Sequence, residues 1–278
     1  MKPYTVTQIN QNTYQIAEIY HHPAALPMYL ILGENRAALI DTGVGMGTLR
    51  STVEEITSLP VCVYNTHAHL DHAAGNSEFN WVYMHPDEEE RARGDFPRED
   101  RIEFVELKCM SDPDREEIVR YARENMPPYE SEYDIFYVEE GDVIDLGGHT
   151  LEPIHVPGHT SGSMVYVDRE HRNAFCGDAV NPRSSIGMFP GAPTVRCYAE
   201  SLERFLSMTP EIERYYVGHR LYYFTREDVE DVLTCAKEIV AGVAGEPYDM
   251  IVSRKGPIRG WIHWYNGKRI TFQKEYIG

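Results

Sequence analysis

Residues 66–72 read Thr-His-Ala-His-Leu-Asp-His and directly follow the apolar run Val-Cys-Val-Tyr-Asn at 61–65. Four residues able to ligate a metal, His67, His69, Asp71 and His72, thus lie just past the end of a strand. On a continuing strand, side chains alternate, so 67, 69 and 71 would face one way and 72 the other. A loop entering a helix can instead fan all four around one point. The chain therefore needs a rigid sheet whose rim presents this loop.

Three isolated residues repeat the same context. His159 stands in Val-Pro-Gly-His, Asp178 in Phe-Cys-Gly-Asp and His219 in Val-Gly-His, each just beyond a strand-like run. Each is preceded by glycine (Gly158, Gly177, Gly218), whose backbone freedom permits the turn that exposes the next side chain. The seven residues supply five imidazoles and two carboxylates. One four-coordinate metal leaves about half of them unused. Two metals use them all, with a shared carboxylate and an open position for water. Zinc is the default for so His-rich a set, and the carboxylates also admit iron or manganese.

The rest of the chain reads as strands then helix, twice over. Strand-like runs cover 4–9, 13–19, 28–33 and 36–43, and a helix is expected over 48–58. Strands follow at 61–65 and 81–84, and again at 135–138, 149–156, 163–168 and 173–176. Helices are expected over 198–208 and 225–243. The second carries a stripe of apolar residues from Val229 to Val243 at helical spacing. Residues 261–272 form two strand-like runs about Asn266-Gly267, a strong hairpin signal. This order predicts an α+β sandwich with helices outside two sheets, all within a single domain over 1–278.

Residues 87–140 differ in character. They hold nineteen acidic against eight basic residues, a net −11 of the total −18. One helix is expected there, from a Ser111-x-x-Asp114 capping signal to Asn125, stopped by Pro127-Pro128. Too few apolar residues are present for a separate core, so the segment is an acidic insertion over one face of the domain. The charge run reads first as a solvated face; its position after the histidine-rich loop also leads to the expectation that it sits beside the site, where its charge would disfavour strongly anionic substrates.

The overall charge of −18 argues against a nucleic-acid or anionic-membrane partner. No apolar run is long enough to span a bilayer, and residues 1–20 lack a signal-peptide core. Five scattered cysteines without a Cys-x-x-Cys pair fit reduced thiols, so a cytoplasmic location is expected. The expected partner is a small-molecule substrate, and the sequence leaves the oligomeric state open.

Asp41 in Asp-Thr-Gly, the His67-x-His69-x-Asp71-His72 loop, His159 in Pro-Gly-His-Thr-Ser-Gly-Ser, Asp178 in Cys-Gly-Asp and His219 in Gly-His-Arg occur in an order that resembles the metallo-β-lactamase superfamily. The resemblance spans residues 41–219. It implies a four-layer αββα sandwich. It also implies His67, His69 and His159 on one metal, Asp71, His72 and His219 on the other, and Asp178 bridging. Asp41 would orient the ligand loop from behind. Zinc β-lactamases of the commonest class have Cys where Asp178 stands. Flavodiiron proteins have Glu where His69 stands, and transfer-RNA-processing nucleases carry a basic exosite. The resemblance thus points to the glyoxalase-II-like and lactonase-like branch: a metal-bridging hydroxide cleaving an ester, thioester or lactone, with Asp71 or Asp178 taking the proton. A mononuclear-iron persulfide or thiol dioxygenase and a phosphodiesterase-type hydrolase are the alternatives.

Among other residues, Arg183 in the loop 181–193 is a candidate contact for a substrate carboxylate. His155 reads as locally hydrogen-bonded and Cys176 as a buried thiol. Tyr222 and Tyr223 read as packing residues. His85, His149, His171, His263 and the pair His21-His22 show no ligand spacing.

Overall fold

A computed structural model of the chain describes residues 2–18, 25–94, 96–189, 191–251 and 256–278. His21 and His22 lie outside the described residues.

The first half builds one sheet from strands in chain order. These are β1 (Tyr4–Gln8), β2 (Thr13–Glu18), β3 (Pro27–Leu32), β4 (Ala37–Ile40), β5 (Val61–Tyr64), β6 (Val82–Met84) and β7 (Ile135–Tyr137). The first four pair antiparallel, and β4 to β7 run parallel. Parallel neighbours need crossovers. Here these are α1 (Leu49–Glu54), the short α2 (Leu70–Ala73), and the insertion helices α3 (Glu89–Ala92), α4 (Arg98–Lys108) and α5 (Arg115–Asn125).

The chain continues through β8 (Ile144–Asp145), β9 (Thr150–His155), β10 (Met164–Asp168), β11 (Asn173–Gly177) and β12 (Arg183–Ser185). Next come α6 (Val195–Met208), β13 (Arg214–Val217), β14 (Tyr223–Phe224) and α7 (Arg226–Val240). It ends in β15 (Glu246–Met250), β16 (Ile258–Tyr265) and β17 (Lys268–Phe272). A second sheet has the order β14-β13-β11-β10-β9-β8.

Alternation along β10 shows how the layers form. Met164 and Tyr166 face the first sheet, among Tyr29, Ile31, Ile40 and Tyr64. Val165 and Val167 face the other way, against Leu202 and Phe205 of α6 and Val232 and Ile239 of α7. On the far side, Leu30, Leu39 and Val63 pack beneath Leu49, Val105, Ile118 and Ala122 from the helices. Helices therefore cover both outer faces of two stacked sheets, giving the α+β, αββα arrangement expected. Among the described residues, no helix is long and apolar enough to cross a membrane.

Several boundaries differ from the sequence reading. Helix α1 stops at Glu54 because Pro60 disfavours helical backbone just before it, and Thr57 caps a turn by accepting the Leu59 N–H at 3.2 Å. Helix α7 starts in a Thr225/Asp228 capping box but ends at Val240, where Gly242 turns left-handed at φ 88°, so Val243 leaves the apolar stripe and is exposed. Ser111 does not cap α5. Asp112 accepts from the Asp114 N–H in a turn, and the helix begins at Arg115.

Helix α4 was not anticipated, although Pro97 before it, Glu99 and Asp100 in its first turn and Lys108 in its last are start and stop signals. A third, four-stranded sheet, β12-β17-β16-β15, extends the expected C-terminal hairpin. Asn266 and Gly267 make its turn, both at positive φ.

The insertion is seated by polar as well as apolar contacts. Arg101 is fully buried, yet its guanidinium donates to backbone carbonyls, those of Phe96, Val44, Gly45 and Pro127. It pins α4 to the loop after β4. Near it, burial pushes the Glu18 carboxyl up to about 8.

Candidate active site

The histidine loop leaves β5 at Asn65 and enters α2 at His69, whose extended backbone begins the helix. Asp41 sits directly after β4 with a left-handed backbone, φ 63°. Its carboxylate accepts from the Thr66 N–H (2.7 Å) and the Thr66 hydroxyl (2.8 Å) and lies 2.7 Å from His72 Nδ1. Asp41 thus anchors both ends of the ligand loop.

The carbonyl of His72 is held as well, by the Thr42 N–H and hydroxyl and by Asn65 Nδ2, with Asn76 closing the network. Thr42, Asn65 and Asn76 carried no sequence signal. Their function depends on tertiary contact alone.

The three glycines act by two different means. Gly177 is left-handed (φ 49°), and a Cβ there would also lie 2.2 Å from the Thr66 hydroxyl. Gly158 and Gly218 have no positive φ. They are required for close approach, because a Cβ would come within 2.2 Å of the Tyr198 ring and of Asp178 Oδ1 respectively.

All seven expected donors converge. His67 Nε2 is 3.1 Å from His69 Nδ1, which is 2.9 Å from His159 Nε2. Asp178 Oδ2 lies 3.7 Å from His159 Nε2 and 3.2 Å from His219 Nε2, and His219 Nε2 lies 3.4 Å from Asp71 Oδ2. The donors form overlapping groups, His67/His69/His159, His67/His72/Asp178 and Asp71/His72/His219, and Asp178 stands between the first and the last, reaching His159 and His219. Tetrahedral ligands at about 2.0–2.1 Å from a cation stand roughly 3.3 Å apart, which is the spacing found.

The remote nitrogens support the same geometry. His159 Nδ1 donates to the Ser185 carbonyl (3.0 Å), and His72 Nδ1 faces Asp41. The inward nitrogens are left with lone pairs facing one another, and His72 Nε2 is buried without a hydrogen-bond partner. This donor set fits divalent metal.

Electrostatics agree. Burial and the neighbouring imidazoles push His67 and His69 well below the ordinary imidazole value, so both stay neutral donors. Burial opposes charge on His72, but Asp41, Asp71 and Asp178 override it and raise it to about 10. Burial likewise opposes charge on Asp178, and His219, His159 and His72 outweigh it, holding the carboxyl well below its usual range. The carboxylates demand positive charge at this point, which a cation meets as well as a proton does.

Glu88 is a further residue that the sequence did not single out. Nearly fully buried at the start of the insertion, it accepts from Ala68 N–H (2.8 Å) and Gly162 N–H (3.0 Å). It thereby ties the loop of His67 and His69 to the loop of His159.

Of the donors, His69, Asp71, His159, Asp178 and His219 line a cavity of about 740 Å³. The insertion does border it, through Arg91, Phe96, Asp100, Phe104 and Lys108. The anion-repelling lining expected there is not found: among the described residues the lining cations are Arg91, Lys108, Arg183, Arg220 and Arg269, and beyond the metal-type carboxylates only Asp100 and Asp249 oppose them. The acidic excess of the insertion points elsewhere. Cys176 is buried as expected. His155 donates locally to the Ser161 carbonyl and stacks on His85. Tyr222 and Tyr223, read as packing residues, touch the rings of Phe224 and Tyr216 but are about half exposed at the edge of the second sheet.

A family model, the metallo-beta-lactamase superfamily, matches residues 27–219. The chain belongs to the metallo-β-lactamase superfamily. Among curated relatives of this superfamily member, the acyl-coenzyme A thioesterase MBLAC2 of Gallus gallus is 29% identical over 249 residues, 78% of this chain and 85% of the relative. A hydroxyacylglutathione hydrolase of Crocosphaera subtropica is 24% identical, over 80% of this chain and 74% of its own. A solved metallo-beta-lactamase from Pontibacter korlensis shares the fold at TM-score 0.58 and 17% identity, covering 84% of this chain and 99% of that one.

Proposed function

We propose that the protein hydrolyses thioesters of small molecules at a two-metal centre, with zinc the preferred ion. Metal-dependent hydrolase chemistry is the class of the enzyme. The thioester substrate is supported by the relatives, whose names specify acyl-coenzyme A and hydroxyacylglutathione. The observation that carries the two-metal reading is the pair of donor groups sharing Asp178. A single-iron dioxygenase centre on His67, His69 and His159 would leave Asp71, His72 and His219 as a buried cluster without a cation. Neither relative's name specifies a phosphodiester.

His67, His69 and His159 would hold one ion, Asp71, His72 and His219 the other, and Asp178 both. Bound divalent metals supply a water acidic enough to ionise near neutral pH and an electrophile for the thioester carbonyl. The chain's own residues do the rest. Asp41 and the Ser185 carbonyl fix the inward nitrogens of His72 and His159 as donors. Asp71 and Asp178, both held ionised, are the carboxylates able to take a proton from the attacking water. Phe96, Phe104 and Phe189 line the cavity with apolar surface that excludes bulk water.

Metal content per chain, measured beside hydrolysis of a thioester and its matched oxygen ester, tests the proposal. Two equivalents and faster thioester cleavage are expected. One iron and no thioester cleavage would overturn it.

A further inference from the structure

The electrostatics of the mouth call for a ligand of their own. Arg183 on β12 and Arg269 on β17 are direct partners across parallel strands, so their side chains leave the same face together. Like charges directly opposite in a sheet repel and destabilise it. Neither guanidinium is ion-paired or hydrogen-bonded to a described residue, and Arg269 Nε is buried without a partner. Arg269 is held in place by the rings of Tyr248 and Trp264, at 5.2 and 5.7 Å. Both arginines line the cavity above the metal-type donors, and Lys108 and Arg91 line it from the insertion.

Position makes the pair useful. Strand β12 also carries Ser185, whose carbonyl orients His159. Asn181, two residues before Arg183, contacts Asp178 at 3.1 Å and accepts the Arg183 N–H at 3.0 Å. Arg183 and Ser185 are two residues apart, about 6.6 Å along a strand. Arg183 is therefore built into the same short strand that carries Ser185, and pairing with β17 sets Arg269 beside it.

We propose that Arg183 and Arg269 form an oxyanion-binding subsite for an anionic group on the thiol portion of the substrate. This deepens the thioesterase reading and rests on it. Guanidinium forks match the paired oxygens of phosphate and carboxylate alike. The substrate class is thus a thioester whose thiol carries one of these groups. The net charge of −18 conceals this preference, because among the described residues the cations lining the mouth outnumber Asp100 and Asp249 there.

The test compares three thioesters of one acyl group: of a phosphate-bearing nucleotide thiol, of a carboxylate-bearing peptide thiol, and of neutral N-acetylcysteamine. The metal-loaded wild type is set beside Arg183→Gln and Arg269→Gln. Relative to the neutral thioester, kcat/KM for an anionic one should fall about tenfold or more in each variant, the size of a lost charge-assisted hydrogen bond. The anion that shows the fall identifies the source. The wild-type preference should also shrink as salt rises. An unchanged ratio for both anions would overturn the subsite while leaving thioester hydrolysis standing. Uncleavable thioether analogues of the same ligands separate the two readings. If they bind about tenfold more weakly to Arg183→Gln while no thioester is cleaved, the subsite stands and the hydrolase reading fails.

Discussion

Strand β10 has a histidine cluster at each end. At one end the Met164 N–H donates to Thr66, in the loop of His67 and His69. At the other, Asp168 lies between His171, at 2.9 Å from Nδ1, and His149, at 3.3 Å from Nε2, with Glu170 on the second nitrogen of His149. The residue types are the same, and either group has the spacing of metal ligands. Their surroundings differ. At the far end two imidazoles meet two carboxylates within ion-pair distance. His149 is accordingly raised, first by its hydrogen bond to Asp168, against the effect of burial. At the active end five imidazoles converge with their lone pairs inward, His67 and His69 are driven neutral, and the donors open onto a cavity. A histidine cluster becomes a metal centre when its nitrogens have nothing else to face.

The sharpest way to break this contrast is Asp178→Ala. Without the shared carboxylate, two cations would repel across a poorly screened gap. Turnover should fall by at least about 100-fold with loss of at least one metal equivalent, while circular dichroism stays native. Full metal content and near-normal turnover would remove Asp178 from its bridging place.

Asp41→Asn probes the support behind the donors. It should weaken metal binding about 10–100-fold, read by competition with a chelator, because the amide can no longer accept from both Thr66 and His72 as a carboxylate does.

Glu88→Gln turns one of its acceptor oxygens into a donor facing a buried N–H. It should cost about 1–3 kcal/mol in denaturant unfolding, with a smaller loss of metal affinity than Asp41→Asn. No change in either would show that the two loops do not depend on that strap.

The smallest effect is expected at the far end of β10. His149→Gln should leave metal content and turnover as in the wild type. Because folding raises the His149 pKa above 6.5, its ion pairs contribute fully below that pH and fade as pH climbs through the folded value. The variant should therefore lose about 2–4 °C of Tm at pH 5.5 and progressively less toward pH 9. A lost metal equivalent would instead make the two ends alike.

The convergence of the seven proposed ligands was legible because metal chemistry demands particular side chains and the strand-end context repeats at each one. The same holds for the capping box of α7 and the Asn266-Gly267 turn, where local chemistry decides the backbone. What stayed hidden depends on partners distant in sequence. Glu88 acts through two amides, one of them 74 positions away. Arg269 gains its meaning only when β17 pairs with β12. Charge was legible only in part: the acidic run is the solvated face it reads as, but a sum over 87–140 has no direction and does not show that Arg91 and Lys108 line the cavity. Helix α4 was missed because its many charges masked the apolar positions Ile102, Val105 and Cys109 that seat it.

Arg101 and Glu88 have a consequence for protein engineering. Arg101 binds main-chain carbonyls and Glu88 main-chain amides, so neither reads the identity of its neighbours' side chains. The insertion is mounted like a cassette on two fixed pins. Phe96, Phe104 and Lys108 can be exchanged in libraries with those pins retained, and the frame that positions them stays in register with the reacting centre.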